Sequence, residues 1–180
     1  MNSRSMQRVL VIGHCGAGKS TLAVELGKIL DLPVIHLDRH FWNPGWVETE
    51  KEAWREKVHQ LVSGERWIID GNYDGTLDIR LPRADTVIFL DFPTRVCMWR
   101  IARRIISGYG KTRHDLAPGC PEKIDGEFIL YTWRFRRDIL PKVHAALNRY
   151  YPHGRLIVLS KPAQVRALMT SMEGVLPRSG

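Results

Sequence analysis

Residues Gly13–Ser20 read GHCGAGKS, a full match to G-x-x-x-x-G-K-[ST], and no other stretch of the chain constrains its fold as tightly. The pattern describes a phosphate-binding turn between a buried strand and a helix. Gly13, Gly16 and Gly18 let the backbone take positive φ, so successive N–H groups can face an anion. A lysine at 19 reaches the β and γ phosphates, and a hydroxyl at 20 binds Mg²⁺. The helix that starts here turns its positive end to the same anion. The flanks agree. Arg8–Ile12 (RVLVI) is a short β-branched run, as a buried parallel strand requires, and Thr21–Leu30 (TLAVELGKIL) is apolar at helical spacing. Gly13, His14, Cys15, Gly16, Ala17, Gly18, Lys19, Ser20 and Thr21 are therefore the expected cradle for a nucleotide's phosphates, with a glycine-rich structural turn as the alternative.

Strand-like and helix-like segments alternate along the chain. Strands are expected at Arg8–Ile12, Val34–Leu37, Trp67–Ile69, Thr86–Leu90 and Arg155–Leu159. Helices are expected at Lys19–Leu30, Glu50–Ser63, Thr94–Ser107, across Pro121–Tyr151 and at Ala163–Glu173, with a short helical turn near Gly75–Arg80. Such alternation gives a parallel sheet covered on both faces, with ligands outside the carboxyl ends of its strands. Ser107–Pro121 is rich in glycine and proline and reads as a lid or binding loop.

A length of 180 residues and an apolar fraction of 44 % fit one soluble domain over 1–180. No apolar run approaches the ~20 residues of a membrane span, so no membrane partner is expected. The start, MNSRSMQR, lacks the apolar stretch of a signal peptide. Three cysteines without a C-x-x-C pair point to reduced thiols in a cytoplasmic compartment. The net charge of +8 suits an anionic partner, nucleotide or nucleic acid. No N-K-x-D guanine motif is present, which argues against a GTPase. One cysteine in the expected lid does not make a zinc site.

Three aspartates follow apolar strands: Asp38, Asp70 and Asp91. An acid there can hold Mg²⁺ directly or through water. Asp91 precedes Phe92-Pro93-Thr94 and suits a turn or cap, which favours Asp70 for the metal together with Ser20. A loop aspartate bonded to local N–H groups is the alternative for either. Asp38 lies where a carboxylate can accept or orient the proton of a hydroxyl acceptor. His36 either tunes that carboxylate or is a satisfied buried histidine. Phe41, Trp42 and Trp46 either stack on a flat acceptor or pin their own loop. Arg100, Arg103 and Arg104 share a helix face just before the lid, where they either stabilise a transferring phosphoryl group or form a solvated basic face. Lys111 and Arg113 lie within the lid.

These residues resemble the adenylate-kinase-like P-loop kinases, a group that includes shikimate-kinase-like and uridine-kinase-like enzymes. The chain is more closely similar to the bacterial DNA topology modulation proteins related to a flagellar regulator. The likeness lies in GHCGAGKST, LPVIHLDRHFWNPGW, WIIDGNYDGTLDIRLPRADTVIFLDFP and GKTRHDLAPGCPEK. It implies a three-layer α/β P-loop NTPase fold with a five-stranded parallel sheet in order 2-3-1-4-5, a lid insertion near 107–122 and an acceptor-side segment near 38–63. It implies ATP and Mg²⁺ as cofactors and a small-molecule acceptor, a nucleotide or nucleoside. Lys19, Asp38, Arg100, Arg104 and a post-lid arginine, Arg137, or else Arg134 or Arg136, would be catalytic. Ser20 and Asp70 would hold the metal, and Asp38, Arg80 and Trp42 the acceptor. The sequence departs from the nucleoside monophosphate kinases after Asp70-Gly71, where Asn72-Tyr73-Asp74 replaces Phe-Pro-Arg. The rival reading is a nucleic-acid-binding regulator that uses ATP as a switch; no recognition helix, zinc finger or single-strand-binding motif supports it.

Overall fold

The structure, a computed structural model, describes residues 6–110 and 115–173. Lys111, Arg113 and His114 of the expected lid lie outside the described residues. In chain order the strands are β1 (Arg8–Gly13), β2 (Val34–His36), β3 (Trp42–Asn43), β4 (Val47–Glu48), β5 (Trp67–Asp70), β6 (Thr86–Leu90) and β7 (Arg155–Leu159). The helices are α1 (Lys19–Leu30), α2 (Leu37–Phe41), α3 (Lys51–Leu61), α4 (Leu77–Arg80), α5 (Thr94–Gly108), α6 (Gly126–Asp138), α7 (Leu140–Tyr150) and α8 (Pro162–Glu173).

Five strands form one parallel sheet in the order β2-β5-β1-β6-β7. Counting only these five along the chain, the order is 2-3-1-4-5, as expected. β1 is central, and every residue from Val9 to Gly13 is buried. Its side chains alternate between two cores, as the period of a strand dictates. Leu10 and Ile12 join the core under α3, α4, α6 and α7, while Val9 and Val11 join the one under α1 and α8. The result is three layers. Among the described residues, no helix is long and apolar enough to cross a membrane.

Two expectations change. The long helical stretch divides after Asp138: Pro141 sits in the first turn of α7, where its missing N–H costs nothing, and Ile139 caps both helices. The second strand stops at His36, because Leu37 opens α2. Asp38 therefore lies in the first turn of a short helix rather than at the end of a strand. The hairpin β3–β4, which no periodicity announced, follows at once. Its turn needs Gly45 at φ 81° and Trp46 at φ 64°.

Parallel register brings the working ends together. Val11 is level with Asp70, and Gly13 with Leu90. The carboxyl ends of β5, β1 and β6 thus open on the Gly13–Ser20 loop.

Candidate active site

The loop has the shape its glycines permit. Gly13, Gly16 and Gly18 have φ of 134°, 75° and 98°. A Cβ on Gly13 would stand 2.3 Å from the Leu90 carbonyl oxygen, and one on Gly16 would stand 2.7 Å from that of Cys97. Close packing as well as conformation therefore excludes side chains at both positions. Lys19 Nζ spans the loop, donating to the carbonyls of Gly13 (3.0 Å) and His14 (3.1 Å). Arg100 donates to the Ala17 carbonyl at 2.9 Å, which brings α5 against the loop. Asn72 Oδ1 accepts the Gly13 N–H at 2.9 Å, which ties the loop after β5 to the start of the cradle.

The N-terminus of α1 fits an anion. Gly18 offers no capping side chain, and the first turn carries no acid. A helix end of this kind leaves N–H groups for a phosphate, and Lys19 adds a full positive charge. Ser20 follows in the first turn of α1.

His14, inside the loop, is 1 % exposed and packs 4.5 Å from the Phe135 ring. Burial, reinforced by the charges of Lys19 and Arg136, lowers its pKa to about 4, so the ring is neutral. Its Nδ1 lies 3.0 Å from the Cys15 carbonyl, and a carbonyl only accepts, so Nδ1 carries the proton.

The three aspartates have separate partners. Asp70 is buried and bonds His36 Nδ1 at 2.6 Å. Burial works to lower the His36 pKa, but the hydrogen bond and charge of Asp70, with Asp115 behind it, raise it overall. His36 is thus a satisfied buried histidine on Asp70. Asp91 pairs with Arg136 at 2.8 Å. It caps no helix, since Pro93 is the N-cap of α5. Asp38 accepts the Tyr73 hydroxyl at 2.6 Å.

The arginines divide. Arg104 pairs at 3.0 Å with buried Glu122 just beyond the lid, while Arg100 reaches the P-loop. The two line a groove of about 460 Å³ on α5 with Trp99, Arg103 and Ser107. Two expected site residues are placed elsewhere. Arg137 pairs with its neighbour Asp138 at 2.6 Å, and its side chain is 69 % exposed; Arg136 is the post-lid arginine that turns to the strand ends. Arg80, expected to meet the acceptor, is fully buried. It donates to the carbonyls of Gly71 (3.0 Å), Asn72 and Tyr73 (2.9 Å). Burial lowers its pKa to about 10, still far enough above neutrality to keep the charge. Its role is to hold the loop.

The aromatic segment packs on itself. Phe41 contacts Trp42, Trp54 and Tyr73 with ring centroids 4.7–5.2 Å apart, and Trp42 meets Trp46 edge-on at 5.3 Å. The hairpin also docks on the far end of the lid. Gly45 N–H donates to the Gly119 carbonyl (2.9 Å), Trp46 Nε1 to that of Pro121 (3.1 Å) and Cys120 Sγ to that of Asn43 (3.3 Å). Sequence reasoning gave Asn72 and Tyr73 no role and held Arg136 only as an alternative to Arg137. The signal for the first two was the departure Asn72-Tyr73-Asp74 from the family pattern; none marked Arg136 over its neighbours.

No protein-family model matches the chain, and no curated protein does. Solved structures do match. A shikimate kinase from Bacteroides thetaiotaomicron is similar at 17 % identity and TM-score 0.54, over 95 % of this chain and 98 % of its own. A shikimate kinase from Acinetobacter baumannii, in complex with shikimate, gives 16 % and 0.57 over 93 % and 91 %. A gluconokinase from Sinorhizobium meliloti gives 15 % and 0.53 over 94 % and 92 %. Over nearly its whole length, the chain has the α/β fold of the P-loop kinases of small molecules.

Proposed function

We propose that the protein is a phosphotransferase that moves the γ-phosphoryl group of Mg·ATP to a hydroxyl of a small acceptor, a nucleoside or nucleotide. The observation that supports this most is the Gly13–Ser20 loop, with its uncapped helix end and the Lys19 ammonium drawn across it. Bound Mg·ATP supplies the phosphoryl group and a divalent charge on its oxygens. Lys19 exchanges its two carbonyls for phosphate oxygens and offsets charge that grows in transfer. Main-chain N–H groups of the loop orient the phosphate chain, and Ser20 and Asp70 are the residues that would hold the metal. Arg100 and Arg104 flank the cradle from α5. Catalysis here is mostly positioning and charge stabilisation, the work such groups do. Asp38, at the acceptor side, accepts or orients the hydroxyl proton.

The burial of Arg80 bears on the acceptor. A nucleotide brings a phosphate that needs a cation, and this one is spent on carbonyls. That favours a nucleoside over a nucleotide. The test is an ADP-release screen over nucleosides, their 5′-monophosphates and hydroxylated metabolites. Turnover of at least one acceptor well above ATP hydrolysis in water is expected. Release that no acceptor stimulates would overturn the reading.

A nucleic-acid partner, as in the topology-modulation branch, is the second reading. It draws on the exposed face of α5, where Arg103 lies 5.6 Å over the Trp99 ring beside exposed Arg95. Backbone binding would weaken steeply as salt rises. No association with DNA at low salt dismisses it.

A further inference from the structure

We propose that Tyr73 is a positioning residue for Asp38: its phenol holds the acceptor-side carboxylate in one orientation, and the buried Arg80 guanidinium fixes the backbone that presents it. The proposal rests on the phosphotransferase reading above and adds the device that aims its carboxylate.

Tyr73 has φ 39°, one of three non-glycine residues in the described chain with positive φ. A bulky side chain there is strained and persists only where its surroundings over-determine it. They do so here. The Tyr73 carbonyl accepts from the Thr76 N–H (2.9 Å), the Thr76 hydroxyl (3.0 Å) and Arg80 (2.9 Å). Arg80 takes the two preceding carbonyls as well. Glycine would hold that backbone more cheaply, so the side chain must have a use of its own. Phe41 and Trp54 hold the ring, at 4.7 and 5.1 Å. A phenylalanine would serve that packing equally. What remains is the hydroxyl, 2.6 Å from Asp38 Oδ1. Burial and the Asp38 charge both raise the phenol pKa, so it keeps its proton and donates.

The phenol fixes Oδ1, and with it the direction in which Oδ2 points. The loop that does this also holds the P-loop, since Asn72 accepts the Gly13 N–H. One three-residue segment, clamped by one arginine, therefore sets both the cradle and the acceptor carboxylate. Alignment of this kind acts on the transition state more than on ATP binding.

The test is a double-mutant cycle with Tyr73→Phe, Asp38→Asn and both, read by ADP release with the best acceptor from the screen. Tyr73→Phe is expected to lower kcat about tenfold, leave the KM for ATP unchanged and add nothing in the Asp38→Asn background. A kcat within twofold of wild type, or the same tenfold loss in both backgrounds, would overturn the role. Proton NMR of the wild type and Asp38→Asn needs no turnover and no Tyr73 variant. A downfield, slowly exchanging hydroxyl resonance is expected in the first and absent from the second; its absence from the wild type also overturns the proposal. If wild-type protein phosphorylates no acceptor, the phosphotransferase reading fails and this role falls with it. If the wild type is active and the cycle additive, Tyr73 alone loses its role.

Discussion

At the Gly13–Ser20 loop the groups that would meet an anion are main-chain N–H groups and one lysine, all contiguous in sequence. At Asp38 side chains come together from α2 and from the loop after β5, which Arg80 of α4 holds by its carbonyls. Two buried histidines near the strand ends are in opposite states. His14 is desolvated and neutral, whereas His36 is drawn towards its cationic form by Asp70. The donor end is local geometry that glycine alone can adopt. The acceptor end is a long-range assembly, in which the fully buried Arg80 keeps Asn72 and Tyr73 in place. A backbone-made site tolerates changes around it, while an assembled one depends on each member.

The sharpest way to break this comparison is to remove one charge from each end. Lys19→Ala is expected to lower phosphoryl transfer by about 10²–10³-fold, the scale on which one such stabilising donor acts. Its melting temperature should stay within a few degrees of wild type, because among the described residues the ammonium bonds only loop carbonyls. Asp38→Asn is expected to cost about 10²-fold or more in kcat while ATP affinity, followed by calorimetry, is unchanged. A matching loss of ATP affinity would mean the two ends are not separate. Next comes Arg80→Met, which leaves three carbonyls of the Gly71–Tyr73 loop without their donor. It should destabilise the protein by roughly 2–4 kcal/mol in urea titration, against little change for Lys19→Ala.

The smallest effect concerns pH. His14 has a folded pKa near 4 against 6.5 for the free side chain, so the unfolded chain binds the extra proton first as pH falls. Stability from this residue is present above pH 6.5 and is lost between 6.5 and 4, by about 3 kcal/mol at most. His36, with a raised pKa, has the opposite sign: its contribution is complete below 6.5 and is lost as pH rises through its folded value. A folded His14→Gln variant should show a flatter fall in urea midpoint from pH 6.5 to 4 than wild type. Equal slopes would mean that His14 is not desolvated as described.

The donor end could be read from sequence because its chemistry is contiguous. Strand, glycine loop and helix appear in order, and the five strands of the large sheet lie within a residue or so of their apolar runs. The acceptor end could not be read in the same way. Arg80 carries the same letters whether it faces solvent or lies under a loop; only the three carbonyls that converge on it decide. Arg136 and Arg137 are adjacent on one helix, and the turn of α6 sends one to Asp91 and the other to Asp138. The hairpin at Trp42–Glu48 has two-residue strands, too short for a period, and its hold on Gly119–Pro121 joins segments remote in sequence.

The most direct test follows the label from γ-³²P-ATP with Mg²⁺ and the acceptor panel, in wild type and in folded Lys19→Ala. Label is expected to pass to an acceptor in the wild type and to be lost from that product in the variant. Equal transfer by both proteins, or label found only in inorganic phosphate, would contradict the account.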